Sequence, residues 1–308
     1  MLQYLTILLD DTSVSFCHYE NPKKERRLMP LDILKEGIRF GMMENLMIQY
    51  VYPDYELPTE YAEVVESIDH SKIKPVKEDA DAWVVNDIAN IKADVPVVWH
   101  TTKQELFAHE SNIERVLDNV PRLNIVLTDI QSFTNDDFEK YKELFDRVAL
   151  KIEQSYVNGK FPQLNLLTDR LMLQEMNNCG AGDTSITLAP NGKFYVCPAF
   201  YYEDEKDCTG DLEHGVNVKN KQLYELAYAP ICRHCDAYQC RRCVWLNRKT
   251  TLEVNTPSHE QCVLAHLERN ASRDLLNNIR KHGTFLPEQE KINEIDYLDP
   301  FDNRDEWQ

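Results

Sequence analysis

Glycine is scarce in this chain, only nine residues in 308, which excludes a glycine-rich, low-complexity polymer. No apolar run approaches the roughly 20 residues that a membrane-spanning helix needs, so no span is expected. Basic charge is also short. The 34 Lys and Arg stand against 52 Asp and Glu, a formal net charge of −18. Nucleic acid and anionic membrane surfaces are excluded as main partners by that balance, because phosphate is neutralised by an excess of Lys and Arg. A partner or peptide with basic surface suits it better. Residues 1–10 begin apolar, but no basic stretch precedes them and no small-residue cleavage site follows. A secretory signal is therefore not expected. With 43% hydrophobic residues the chain can bury a sizeable core, as one large or two smaller domains.

What the chain does have is cysteine, nine residues in all. Seven fall in one pattern: Cys179-x12-Gly192-x4-Cys197, then Cys232-x2-Cys235-x4-Cys240-x2-Cys243, then Cys262. Cys208 lies inside the same stretch. Two Cys-x2-Cys steps aim four sulfurs into one small volume, so metal ligation is expected rather than disulfide pairing. One tetrahedral ion cannot use seven or eight sulfurs, which implies two centres. Thiols at ligand spacing without export point to a reducing, cytoplasmic compartment. Residues 185–197 read as a hairpin, with Asn191-Gly192 as its positive-φ turn and Cys197 delivered by the second strand.

The first half alternates strands with helices. Strands are expected over Leu2–Leu9, Met47–Tyr52, Ser71–Val76, Ala82–Asn86, Val95–Thr101, Leu123–Thr128 and Gln163–Leu167. Helices are expected over Pro30–Leu46, Glu60–Ile68, Lys103–Leu117 and Asn135–Tyr156, the last capped by Thr134 or Asn135. Such alternation implies parallel βαβ units with right-handed crossovers; a partial (β/α) barrel and a doubly wound sheet both satisfy it. His100 and His109 read as surface or satisfied histidines. Beyond Cys262, Val263–Lys281 is an amphipathic helix with Gly283 suited to its cap, followed by an acidic–aromatic tail over 284–308 that should lie along this protein or a partner.

The cysteine pattern resembles the SPASM extension of radical SAM peptide-modifying enzymes, with the last two spacers of the four-cysteine run one residue shorter than usual. Over its whole length the chain is similar to the maturase family that accompanies CXXX-repeat peptides. The segments that carry this are Leu8–Asp11, Cys17–Pro22, Glu44–Asp54 and the cysteines. The resemblance implies an α/β chain with three parts: a degenerate partial (β/α) barrel over 1–175, a SPASM iron–sulfur domain over 176–262, and a helix with tail over 263–308. It implies two auxiliary 4Fe–4S clusters. Cys179, Cys197 and Cys243 would ligate the first, with Cys208 as the candidate fourth ligand; Cys232, Cys235, Cys240 and Cys262 would hold the second. Arg233, Arg241, Arg242 and His234 either stabilise a cluster's negative charge or are solvated loop residues. In the family's barrels a three-cysteine motif after the first strand binds the cluster that meets SAM. Aligning Cys17 with its middle position puts Ser13 and Glu20 where the other thiolates belong. One thiolate cannot hold a 4Fe–4S cluster. The family's glycine-rich turn after the second strand is replaced by Tyr50–Asp54. No SAM binding is therefore expected, and Cys17 is left as a structural residue, a residual metal ligand or a peptide contact.

Three functions follow from these readings. The first is an accessory protein that pairs, as a heterodimer, with an intact radical SAM peptide maturase and a cysteine-repeat precursor peptide. The second is an autonomous enzyme using a cluster or Cys17. The third is a zinc-stabilised peptide-binding adaptor.

Overall fold

The computed structural model describes residues 1–76 and 78–287. In chain order its elements are β1 (Tyr4–Leu8), α1 (Leu31–Met43), β2 (Met47–Val51), α2 (Thr59–Val65), β3 (Ser71–Lys74), β4 (Ala82–Val85) and β5 (Val97–Thr101). Then come α3 (Lys103–Ala108), α4 (Glu110–Leu117), β6 (Arg122–Leu127), α5 (Asn135–Val157), β7 (Gln163–Leu164) and α6 (Asp169–Met172). The last part holds β8 (Ser185–Leu188), β9 (Lys193–Tyr195), α7 (Pro198–Glu203), β10 (Gly210–Asp211), β11 (Gly215–Val216), α8 (Val244–Thr251) and α9 (His259–Lys281). Among the described residues no helix is long and apolar enough to cross a membrane.

Two compact units divide the chain, each built from two segments: 1–84 with 179–228, and 85–178 with the residues from 229 on. In the first, β1 pairs in parallel with β2 on one side and β8 on the other, and β2–β3–β4 continue in parallel. β9, β10 and β11 follow β8 in antiparallel order. β1 reads as an apolar run because it is covered on both faces: Leu5, Ile7 and Leu8 are fully buried, as parallel strands require. Leu34 and Ile38 of α1 pack with Ile48, Ile186 and Leu188 into one cluster. Each such side chain contributes about 1.5–3 kcal/mol by leaving water. The hairpin forms at the expected place, but only Gly192 takes positive φ, at +76°. Asn191 turns its side chain to accept from Lys193 N instead.

In the second unit β5, β6 and β7 are parallel. α5 begins at Thr134, whose hydroxyl accepts from Asp137 N while the Asp137 carboxylate accepts from Thr134 N, a capping box. Three expectations are corrected here. The strand expected over Gln163–Leu167 stops at Leu164, because the Asn165 side-chain amide takes over the pairing, accepting from Ile125 N (2.9 Å) and donating to Ile125 O (3.0 Å). The helix expected over Lys103–Leu117 breaks at His109, whose ring sits 3.2 Å from Glu105 and 3.1 Å from Asn112; that histidine is satisfied, as expected. α9 ends on His282 at φ −94°, so Gly283 is not a left-handed cap. Of the expected tail, Phe285 packs edge-on against Tyr156 at 5.1 Å, and residues 288–308 lie outside the described residues.

Candidate metal centre

The four-cysteine run folds as short turns rather than regular structure up to Cys243, where α8 begins. Cys232 opens a single 3-10 turn. Arg242 adopts φ +45°, a left-handed conformation uncommon for a side chain of its size. One small cavity collects the result: Cys232, Cys235, Cys240 and Cys262 all line it, with Met176, Arg242 and His266 among the other walls. Cys262 reaches it from the first turn of α9, where Ser258 caps the helix by accepting from Gln261 N.

Backbone amides point at the sulfurs. Ala237 N donates to Cys235 Sγ and Arg242 N to Cys240 Sγ, both at 3.4 Å. His266 Nε2 lies 3.3 Å from Cys235 Sγ. Burial pushes the Cys232 thiol up to about 11, reinforced by Cys235 and opposed by Arg242; burial raises Cys235 and Cys240 as well. These thiols stay protonated unless a cation is bound, and metal loading would release their protons.

Four thiols lining one cavity are a donor set that a four-iron cluster and a zinc ion both accept.

Cys235 is held by a buried ion network that spacing within the run does not reveal. Asp236, 2% exposed, pairs with Arg269 of α9 at 2.9 Å and lies 3.6 Å from Arg170 of α6. Arg170 Nε also donates to the Asp236 carbonyl at 3.0 Å. Of the basic residues expected to act on a cluster, only Arg242 is buried, its Nε donating to Asn178 Oδ1 at 3.0 Å. Arg233, His234 and Arg241 are not buried. One signal for the residues missed was present: Cys262, His266 and Arg269 recur at i, i+4 and i+7, one face of a helix.

Cys243 lies off this cavity and caps α8, accepting from Leu246 N at 3.5 Å. In the first unit, Cys179 precedes a tight turn in which Gly180, at φ +71°, lets its carbonyl accept from the amides of residues 183, 184 and 185. Cys197 stands at the N-cap position of α7 without a side-chain cap bond, and Cys208 is exposed.

The loop after β1 holds Ser13 and Glu20, the positions aligned with ligands in the sequence. Ser13 is fully buried; its hydroxyl donates to Val51 O at 2.8 Å and accepts from Asp10 N at 3.1 Å. It closes β1 against β2. Glu20 is exposed. Beyond β2, Tyr55 donates to Asp10 Oδ2 at 2.8 Å. Asp11 pairs with Arg27 Nε at 2.8 Å and accepts from Tyr201. The crossing from β1 to α1 is thus tied down by hydrogen bonds and an ion pair. Ser13→Ala is expected to lower stability by about 1–2 kcal/mol, because the buried Asp10 N–H loses its partner while Val51 O keeps only Leu9 N, at 3.1 Å; urea unfolding measures it, and an unchanged midpoint would contradict the assignment.

No protein-family model matches the chain, and no curated protein matches it. Among solved structures it is similar to polyhistidine-tagged anSMEcpe with bound AdoMet, at 11% identity over 90% of this chain and 96% of that one, with a TM-score of 0.59. It is also similar to native anSMEcpe with bound AdoMet and Cp18Cys peptide, at 13% identity over 90% and 99%, with a TM-score of 0.61. At these identities the likeness is one of fold: the chain shares the mixed α/β fold of that protein.

Proposed function

We propose that the chain is an accessory protein in peptide maturation that binds two auxiliary 4Fe–4S clusters, does not cleave SAM, and works beside an intact radical SAM enzyme on a cysteine-repeat peptide. The observation that carries the cluster reading is the convergence of Cys232, Cys235, Cys240 and Cys262 on one cavity. In that role the four thiolates would hold the second cluster, with Arg242 and the backbone amides of Ala237 and Arg242 offsetting its charge. When bound, such a cluster supplies an open coordination position or a one-electron acceptor. Cys179 and Cys197 would belong to the first cluster, to which the resemblance also assigns Cys243 and, as candidate fourth ligand, Cys208. The functional division follows 1–175, 176–262 and 263–308. The loss of SAM chemistry is supported by Ser13, whose hydroxyl is committed to Val51 and Asp10. A peptide partner is supported by the shared fold with anSMEcpe, which was solved with bound peptide, and by the resemblance to CXXX-repeat maturases.

The test is iron, sulfide and zinc content of the anaerobically purified full chain beside Cys232→Ala. About eight irons with matching sulfide, falling to about four in the variant, is the expected result for two four-iron clusters. Zinc without sulfide would replace this reading with a peptide-binding scaffold. SAM cleavage by the chain alone would overturn its accessory role, whereas conversion of peptide only with a partner enzyme present would support it.

A further inference from the structure

The turn from Cys235 to Cys240 is clamped to α9 on both sides of one histidine. Gln239 Nε2 donates to the Ala265 carbonyl at 2.7 Å and to Glu268 Oε2 at 3.1 Å. Asp236 pairs with Arg269 at 2.9 Å. Between these anchors lies His266, 3% exposed and part of the cavity wall. Cys262, one helical turn earlier, lines the same cavity. Side chains four apart share a helix face, so α9 brings a thiol and an imidazole to the cavity together. His266 Nε2 lies 3.3 Å from Cys235 Sγ, and Ala237 N reaches the same sulfur at 3.4 Å. Cys235 thus meets two nitrogen groups, where Cys240 meets the Arg242 amide. With α9 held at Ala265, Glu268 and Arg269, the buried ring has little freedom to turn away.

We infer that His266 is a positioning residue of the centre: it donates an Nε2–H hydrogen bond to the Cys235 thiolate and through that sulfur sets the affinity and reduction potential of the bound metal. The inference deepens the cluster reading above and rests on it, since it takes Cys235 as a ligand. A thiol can give or take a hydrogen bond, but a metal-bound thiolate has no hydrogen to give. Once the centre is loaded, the 3.3 Å contact persists only with the imidazole as donor. Hydrogen bonds to ligand sulfur favour the more negative, reduced state of a cluster over the oxidised one, and so raise its potential. The four thiols already supply a complete set of ligands, which leaves the imidazole a donor's part. The face of α9 then divides its work. Cys262 ligates, His266 orients Cys235, and Arg269 holds the turn through Asp236.

The experiment compares the anaerobically purified full chain with His266→Phe, which fills the ring's space without a donor, and His266→Gln, whose amide keeps one. Three quantities are measured: iron and sulfide content, cluster potential by EPR-monitored titration, and Zn²⁺ affinity of the metal-free protein by chelator competition. His266→Phe is expected to keep its iron, to show a potential below the parent's, and to bind Zn²⁺ about 10–100-fold more weakly, the usual cost of losing an outer partner of a ligand. His266→Gln should recover part of both. In the parent grown on isotopically labelled histidine, pulsed EPR of the reduced cluster should show a weak histidine-nitrogen coupling. That signature is read on the parent itself and does not depend on a variant folding. Its absence, or the strong coupling of a directly bound nitrogen, would overturn the inference. So would parent-like potential and affinity in His266→Phe, or equal losses in both variants, which would report packing rather than a donor. A parent without iron and sulfide would sink the cluster reading alone, and the Zn²⁺ affinities would then decide the part played by His266.

Discussion

Asp236→Ala is expected to lower the free energy of unfolding by about 3–5 kcal/mol, the usual range for breaking a buried ion pair from one side. The carboxylate is 2% exposed between two guanidiniums that are each 3% exposed. Removing it leaves Arg170 and Arg269 facing each other in a site from which water is excluded. The cost is the stranded charge more than the lost bond. Asp236→Asn keeps the shape but not the charge, so it should recover only part of the loss. The contrast is Arg39→Ala, whose partner Glu36 is itself half exposed; pairs of that kind contribute about 0–1 kcal/mol. Urea titrations of the three variants check the ranking. An Asp236→Ala midpoint as close to the parent as that of Arg39→Ala would show the network to be energetically idle. The network also bears on the centre, because it ties the residue after Cys235 to α6 and α9 at once. Metal uptake by Asp236→Asn should therefore weaken along with stability.

What the sequence made legible was whatever is dictated locally. β1, β2, α1 and α5 carry their periodicity in adjacent residues, and the Thr134 cap and the Gly192 turn are spelled out where they act. Three of the four cavity thiols, Cys232, Cys235 and Cys240, were legible in the run, but Cys-x2-Cys pointed Cys243 inward as well, and that thiol lies off the cavity; Cys262 takes the fourth place from a helix remote in the chain. The rest depends on partners remote in the chain. Asp10 and Asp11 read as a polar stop after β1, yet both are buried, and their partners lie at Arg27, Tyr55 and Tyr201. Asn165 reads as an ordinary strand residue until Ile125 offers it both halves of an amide pair. Arg170 and Arg269 carry no mark of their approach to Asp236 beyond the helical spacing of Arg269 from Cys262. Ser13 reads as a lost ligand, and only its two hydrogen bonds explain why a serine stands there.

Glu268 provides the second large effect, and its sign is the reverse of a surface carboxylate's. The side chain is buried between α5 and the cysteine run. Tyr141 donates to Oε1 at 2.6 Å and Gln239 to Oε2 at 3.1 Å. Both bonds favour the charged form, but burial outweighs them and raises the group from 4.5 to about 7. A carboxyl whose folded pKa lies above its unfolded one contributes its full stability below about 4.5 and loses it as pH rises through about 7. The difference of about 2.5 units corresponds to roughly 3 kcal/mol between acid and alkaline limits. Glu268→Gln cannot ionise. It gives up about 1 kcal/mol of hydrogen bonding, because its amide nitrogen meets a donor from either Tyr141 or Gln239. The parent should therefore be the more stable protein at about pH 4, and the variant should gain on it as pH rises, crossing it a little above about pH 5 and leading it by roughly 2 kcal/mol at about pH 7. Urea unfolding across that range measures the crossing. Parallel curves for the two proteins would mean that Glu268 keeps its charge in the folded state and that the Tyr141 and Gln239 bonds outweigh its burial.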